Sequence, residues 1–262
     1  MTRLPNIKLT EEEVQKMLLI DGRRYGEAFI CTPPGDKTLY KIFCKDDSLD
    51  DIIDDDITRY PEYISTTKDI LTMPDNKLKK LEKLFKLQLE NSVIPLSTLS
   101  MNGELIGYEM TRDFNDIALN PPFLRRKELI HFLEQAKTIL EYFASKDIIY
   151  GDVANRNILI NRKTKTVKFC DMDNICLGSF PIDKMSWELA SYCEERGALD
   201  NKADAYMHNL MTILDFGINP HQEITTNRAF NRFFTPDAAP FLQTIENPQS
   251  FTGEYIIQYI KK

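Results

Sequence analysis

Residues 148–173 read I-I-Y-G-D-V-A-N-R-N-I-L-I-N-R-K-T-K-T-V-K-F-C-D-M-D. A tight polar turn between short apolar strands is predicted here, with Asp152, Asn157 and Asp171 on the two loops beside the strands. Carboxylate and amide oxygens at this spacing can provide one base and two contacts to Mg²⁺, the minimum set for moving a phosphoryl group. The stretch therefore predicts a phosphoryl-transfer site.

Length and composition limit the number of domains and the classes of partner. The 262 residues, 42% of them hydrophobic, suffice for one large domain or two lobes with a buried core. The 33 basic and 40 acidic residues give a net charge of −7, which argues against nucleic acid or an anionic membrane as a partner. Basic pairs such as Lys79-Lys80 are interpreted as solvated faces.

The cysteines and the apolar runs indicate the compartment. The five cysteines form no C-x-x-C pair and the three histidines stand far apart, so reduced thiols fit better than disulfides or a zinc site. No window approaches the roughly 20 apolar residues of a membrane span, and the first residues lack the apolar core of a secretory signal. A cytoplasmic protein is predicted, of unknown oligomeric state.

The first part of the chain is predicted to be rich in strands. A capping box at Thr10 and Glu13 predicts a short helix at 11–16. The turn signal Asn102-Gly103 predicts a hairpin. The five predicted strands are 17–20, 28–31, 39–43, 93–96 and 105–110.

A helix and an acidic segment interrupt these strands. Helical spacing of Leu78, Phe85 and Leu89 predicts a helix at 76–89, and Glu82 falls on the same face. Residues 45–75 read as a surface insertion crowded with aspartates, solvated or else used for docking or cation binding.

Beyond residue 110 the pattern turns helical. A broad apolar stripe between Leu129 and Phe143 predicts a buried helix that starts after Pro121-Pro122. A second helix is predicted at 202–214, and Trp187 is interpreted as a packing residue.

Two motifs of the opening stretch resemble those of protein kinases. Y-G-D-V-A-N-R-N at 150–157 is similar to the catalytic loop H-R-D-L-x-x-x-N, and Asp171-Met172-Asp173 stands where that family has D-F-G. The resemblance implies that Asp152 orients the attacking hydroxyl and accepts its proton, while Asn157 and Asp171 hold Mg²⁺ and Asp173 is a rival ligand. It implies an α+β, bilobal fold, with a five-stranded antiparallel N-lobe and one main helix at 1–110, and a mostly helical C-lobe at 111–262.

Lys41 and Glu82 extend the resemblance. The strand Leu39-Tyr40-Lys41-Ile42-Phe43 resembles V-A-I-K, whose lysine contacts the α- and β-phosphates. A glutamate on an apolar helix face is costly to desolvate unless it is paired, and the kinase fold supplies Lys41 as the partner of Glu82. The alternatives are an edge-strand lysine and a glutamate that reaches water.

The resemblance implies further site positions, each supported by a shorter matching motif. D-G-R-R-Y-G-E-A-F at 21–29 is similar to the second half of a glycine-rich phosphate loop, which implies nucleotide contacts at Gly26 and Ala28. The adenine would meet the backbone of Glu109, Met110 or Thr111. A further inference from the family is that an aspartate at position 204 ties down the catalytic-loop backbone.

Departures from the family pattern leave the acceptor open. Gly151 replaces an arginine that in many kinases pairs with a phosphorylated loop, which argues against switching by phosphorylation. The activation segment, between Asp171 and Glu188, is short. Ala154 stands where serine/threonine kinases usually have a lysine near the transferred phosphate, and Arg156 can take the place of that lysine. The letters A-N-R-N are similar to the corresponding motif of tyrosine kinases. Y-G-D also resembles the H-G-D of aminoglycoside and choline phosphotransferases.

The expected activity is therefore that of a divergent, prokaryotic-type kinase. It would transfer the γ-phosphoryl group of ATP, with Mg²⁺, to a hydroxyl on a protein. The alternatives are a small-molecule phosphotransferase and a pseudokinase that binds partners through its acidic insertion.

Overall fold

The computed structural model describes residues 4–25, 28–33, 38–44, 70–112, 116–219, 228–239, 241, 244 and 247–261. The chain divides into two compact units, Met1–Phe114 and Asn115–Lys262, whereas the sequence placed the division after residue 110. Gly26 and residues 45–69 of the acidic insertion lie outside the described residues.

The first unit contains a six-stranded sheet with the order β1-β5-β6-β4-β3-β2. The α+β class is confirmed, but the sheet has one strand more than predicted and is not wholly antiparallel, because β1 runs parallel to β5. A hairpin joins β5 and β6 at Asn102 and Gly103, whose φ angles of 53° and 88° are those a tight hairpin turn requires. The strands are β1 (Asn6–Leu9), β2 (Arg23–Tyr25), β3 (Ala28–Cys31), β4 (Thr38–Phe43), β5 (Pro95–Met101) and β6 (Glu104–Thr111).

Helix α1 (Glu11–Asp21) packs on this sheet; a helix was predicted here, but it is longer than the predicted range 11–16. The capping box is present, with the Glu13 N–H donating to Thr10 Oγ1 over 3.2 Å. The helix continues through 17–20, so the prediction of a strand there was wrong. Met17 and Leu18 join the cluster that includes Tyr40 and Ile42, and this burial favours the helix over a strand.

Helix α2 (Asp75–Leu87) turns a different face inward than the sequence indicated. Its buried residues are Lys80, Leu81 and Leu84, while Leu78 and Phe85 are only partly covered. The interpretation of Lys79-Lys80 as a solvated pair is wrong for Lys80, which is 1% exposed. A lysine buried this fully is costly unless its ammonium group is paired, and Lys80 is not without a partner.

The second unit is built around two helices. In α3 (Arg126–Ala144) the buried residues are the predicted stripe, Leu129, Phe132, Leu133, Ala136, Ile139, Leu140 and Phe143. In α5 (Ala203–Asp215) every residue from Ala203 to Ile213 is buried, which makes it the central helix of the unit. Leu214, near the end of this helix, is 56% exposed.

Short strands and helices complete the second unit. Its strands are β7 (Asp116–Ala118), β8 (Ile148–Ile149), β9 (Ile158–Asn161), β10 (Thr166–Phe169) and β11 (Cys176–Leu177). The remaining α-helices are α4 (Trp187–Arg196) and α6 (Arg228–Phe233). Among the described residues, no helix is both long enough and apolar enough to cross a membrane.

Candidate active site

The hairpin of β9 and β10 brings the two predicted loops together. Phe169 is opposite Ile158 in the antiparallel register, and the Cys170 N–H donates to the Asn157 carbonyl over 3.0 Å. Asn157 directly precedes β9, and Asp171 follows Cys170 at the end of β10. The pairing therefore holds Asn157 and Asp171 at the same end of the hairpin, as the sequence required of a shared site.

Asp152 is held by two neighbours on its own loop. Arg156 Nη2 lies 2.9 and 3.1 Å from the two carboxylate oxygens of Asp152. Asn157 Nδ2 donates to Asp152 Oδ2 over 2.7 Å and to the Asp152 carbonyl over 3.1 Å. The side chain of Arg156 is 70% exposed and that of Asp152 only 18%, so solvent weakens this ion pair and Arg156 can turn toward an anionic ligand.

Asp204 anchors the backbone of the same loop. Its Oδ2 accepts the Tyr150 N–H and its Oδ1 the Gly151 N–H, each over 2.7 Å. Burial raises the pKa of Asp204 to about 6, although the two N–H groups act in the opposite direction. The contacts are those that the kinase resemblance implied, and they fix the two residues that precede Asp152.

Tyr150 ties this loop to the strand that carries Asp171. It is 1% exposed, and its hydroxyl donates to the carbonyl of Cys170. The ring packs edge-on to Phe169, with 4.8 Å between centroids, and burial raises the pKa of its hydroxyl well above the ordinary value. A neutral tyrosine therefore stands where the kinase motif has histidine.

The two neighbouring acids of the Asp171-Met172-Asp173 segment differ in burial. Asp171 is partly exposed and has φ 58° and ψ 37°, a left-handed conformation uncommon outside glycine and found at functional sites. Asp173 is 1% exposed and Met172, between them, is also buried. Asp171 is thus the more accessible of the two acids, and the predicted contacts of Asp171 and Asp173 with a metal stay predictions.

The residues after Asp173 are fastened by an amide that the sequence analysis missed. Asn174 Oδ1 accepts the N–H groups of Asp183 and Lys184 over 3.1 and 2.9 Å, and its Nδ2 donates to the Lys184 carbonyl over 2.8 Å. These hydrogen bonds join residues nine and ten positions apart, so no local turn signal in the sequence indicated them. The activation segment is therefore closed by its own hydrogen bonds.

Gly151 explains how this segment fits against the catalytic loop. Its φ is 80°, and a Cβ built there would lie 2.3 Å from Ile182 Cδ1 and 3.3 Å from Leu189 Cδ2. The absence of an arginine at this position thus has a steric reason. Ile182 of the activation segment occupies the space that any side chain at position 151 would need.

The donor set around Asn157 and Asp171 fits Mg²⁺. Both hydrogens of Asn157 Nδ2 are directed to Asp152, which leaves the amide oxygen as the atom that can contact a cation. Among the described residues, no three His, Cys, Asp or Glu side chains gather into a metal cage. Mg²⁺ bound with nucleotide does not need one, because phosphates and water complete its shell.

The predicted pair of the first unit, Lys41 and Glu82, is not joined in the structure. Lys41 Nζ lies 5.8 Å from the centroid of the Phe43 ring and 5.9 Å from that of Tyr108. No hydrogen bond or ion pair joins it to Glu82 in the part of the chain that the structure describes, and Glu82, in the middle of α2, is half-buried. The proposed pairing of Lys41 and Glu82 stays a prediction.

The predicted nucleotide contacts that the structure describes lie on strands β3 and β6. Ala28 is 2% exposed at the start of β3. Glu109 and Met110 have register partners on both β4 and β5, whereas Thr111 is paired with Thr38 of β4 at the end of β6. Among these three, the Thr111 backbone is the best placed to meet a ligand, and the adenine role stays a prediction.

A cavity of about 600 Å³ adjoins Asp152 within the second unit. Sequence reasoning missed two of its lining residues, Asn155 and Asp215, which are joined by a 2.6 Å hydrogen bond from Nδ2 to Oδ1. Asp215 ends α5, where a carboxylate opposes the helix dipole, and that disfavoured position was the available signal. Trp187, predicted to be a packing residue, is 64% exposed and lines the same cavity.

Comparison with known families agrees with this geometry. The chain matches the family described as protein tyrosine and serine/threonine kinase over residues 43–243, more than half of its length. The match includes Asp152, Asn157, Asp171 and Asp204, and begins just after Lys41. The chain therefore belongs to the protein kinase superfamily, whose members transfer phosphoryl groups.

Proposed function

We propose that the chain transfers the γ-phosphoryl group of ATP to a hydroxyl group of a protein. The observation that carries the proposal is the fixed position of the Asp152 carboxylate, which Arg156 and Asn157 hold on a loop anchored by Asp204. A carboxylate held in this way can orient an incoming hydroxyl and accept its proton as the new bond forms.

The remaining roles follow from charge and position. Asn157 Oδ1 and the Asp171 carboxylate would hold Mg²⁺, and the ion would neutralise negative charge on the phosphate oxygens. Arg156, largely exposed, can leave Asp152 and stabilise the transferring group. Lys41 would contact the α- and β-phosphates, with Glu82 restricting the lysine once nucleotide is bound.

A protein acceptor is favoured by the family and by the surface beside Asp152. Met185, Trp187 and Leu214 are 41%, 64% and 56% exposed, an apolar surface next to the cavity that a polypeptide can cover. The packing of Ile182 on Gly151 favours the second candidate, a small-molecule phosphotransferase, because such enzymes need no switchable segment.

The test compares wild type with Asp152→Asn in an assay of Mg²⁺-dependent phosphate transfer from ATP. Loss of the base is expected to lower the rate by about 10²–10⁴-fold, with little change in thermal unfolding. The matched control is Asp147→Asn, an exposed aspartate of the same unit whose φ of 56° asparagine tolerates equally well.

Equal rates in Asp152→Asn and wild type would contradict the role of Asp152. Nucleotide binding without turnover in wild type would contradict the proposed activity and indicate a binding protein. Offering protein extract and small hydroxyl compounds in separate reactions distinguishes the two candidate acceptors.

A further inference from the structure

The cavity beside Asp152 is positioned to receive the group that accepts phosphate. Its wall combines residues 152–156 of the catalytic loop, the start of α4 and the carboxyl-terminal half of α5. All of these elements belong to the second unit. A ligand bound there would lie directly against the carboxylate proposed as the base.

The charges of the wall are mostly negative. Among the lining residues that the structure describes, the acids Asp152, Glu188 and Asp215 outnumber the one cation, Arg156. Arg156 is already paired with Asp152 at 2.9 Å, so Glu188 and Asp215 remain as an excess of negative charge. A cavity of this kind attracts a cation and repels a carboxylate or phosphate.

Two oxygens of the lining residues have unmet hydrogen-bonding capacity. Asn155 Oδ1 and Asp215 Oδ2 are shielded from solvent and have no hydrogen-bond partner. The hydrogen bond from Asn155 Nδ2 to Asp215 Oδ1 uses the other atom of each group. Both unmet atoms are acceptors, so a group that only donates hydrogen bonds would satisfy them. The terminal torsions of Asp and Asn are soft, so these oxygens can turn toward a donor in the cavity.

Most of the other described lining residues are apolar. Met207, Leu210 and Met211 of α5 contribute to it, together with Trp187 and Leu214 at its exposed side. Methionine and aromatic side chains adapt to ligands of varied shape. The wall therefore suits a ligand with an aliphatic or aromatic body.

We propose that this cavity binds the acceptor substrate and selects one that carries an ammonium or guanidinium group beside an apolar body, with Asp215 contacting the cation. The inference rests on the proposed phosphotransfer. The cation could belong to a lysine or arginine side chain near the acceptor hydroxyl of a protein, or to a small amino alcohol.

Direct binding tests the cavity without requiring activity. By calorimetry, hexylguanidinium is expected to bind wild type at least about tenfold more tightly than 1-hexanol, since a charge-assisted hydrogen bond distinguishes them. Asp215→Asn should abolish this preference and Asp147→Asn should retain it, with thermal unfolding confirming that both variants fold. Equal binding of the two probes, no binding of either, or a preference that survives Asp215→Asn would overturn the proposal.

Transfer assays separate the sources of the cation. One arm compares serine and tyrosine peptides flanked by Lys or Arg with the same peptides flanked by norleucine, and the other compares 6-amino-1-hexanol with 1,6-hexanediol. Preference for the cationic member of either pair, lost in Asp215→Asn, supports the proposal and identifies the source.

The same assays distinguish the two hypotheses. Transfer with no preference for cations would overturn the selectivity and leave the phosphotransfer intact. Selective binding of hexylguanidinium without any transfer would overturn the phosphotransfer and leave the cavity's ligand class supported.

Discussion

The two units hold their predicted site residues in different ways. In the second unit, Asp152 and Asn157 are joined to each other, and Asp204 anchors the backbone before them. In the first unit, Lys41 lies over aromatic rings and no described bond joins it to Glu82. The contacts around Asp152 are thus present in the structure, whereas the pairing of Lys41 with Glu82 is not, and we predict that this pairing forms when nucleotide binds.

The largest effect on the contrast between the two units is expected when the packing under the catalytic loop is disturbed. Gly151→Ala should lower the free energy of unfolding by about 3 kcal/mol, from the clash with Ile182 and the left-handed backbone. The matched control is Gly197→Ala, whose φ is 77° but whose Cβ would meet nothing within 4 Å. We expect a loss of about 1 kcal/mol there, measured by urea unfolding. Equal losses at the two sites would show that the packing against Ile182 contributes little.

The anchor of the loop gives the next largest effect. In Asp204→Asn one of the two backbone N–H groups would face an NH₂ group and lose its acceptor. This loss should lower the free energy of unfolding by about 2 kcal/mol. Phosphate transfer should fall with it, because the backbone before Asp152 is released. Unchanged hydrogen exchange at Tyr150 and Gly151 in this variant would contradict the anchoring role.

The same variant also tests how the stability contributed by Asp204 depends on pH. Burial raises the pKa of Asp204 from 3.8 to about 6, so its contribution to stability is present below the unfolded-state pKa and is lost as the pH rises to about 6. The difference in unfolding free energy between wild type and Asp204→Asn should therefore be larger near pH 5 than near pH 7.5, by about 1 kcal/mol.

A second buried group, His208, also makes stability depend on pH, so wild type must be compared with Asp204→Asn at each pH. Burial lowers the pKa of His208 to about 4, which removes stability as the pH falls and so acts against the trend of Asp204. His208 is present in both proteins, and its contribution cancels when they are compared. A difference independent of pH would contradict the raised pKa of Asp204.

The smallest effect is expected in the first unit. A double-mutant cycle of Lys41→Met and Glu82→Gln in the ligand-free protein should give a coupling energy below about 0.5 kcal/mol, because no ion pair joins the two side chains. The same cycle applied to ATP affinity should show coupling if nucleotide brings them together. Strong coupling without ligand would remove the contrast between the units.

The sequence predicted the second unit better than the first, and periodicity is the reason. The apolar stripe of α3 repeats over several turns, so its buried face could be identified residue by residue. The apolar run at 17–20 was too short to distinguish a strand from a helix. β1 is equally short, and its partner β5 lies far along the chain, so local pattern could not identify it.

The site shows the same limit. The motif placed Asp152, Asn157 and Asp171 on adjoining loops, because strand register follows from local sequence. It could not show that Asp173 is buried or that Lys80 is covered, since both depend on neighbours distant in sequence. Asp215 and Asn155 meet across residues far apart in the chain, and only the folded structure brings them together.

Trp187 provides an optical reporter of the cavity. It is the single tryptophan of the chain, is 64% exposed and lines the cavity beside Asp152. Indole fluorescence shifts to shorter wavelength when a ligand displaces water from the ring, so the emission of the unlabelled protein would report occupancy without background from a second tryptophan. Titrations and rapid-mixing experiments on acceptor binding can therefore use the protein in its native form.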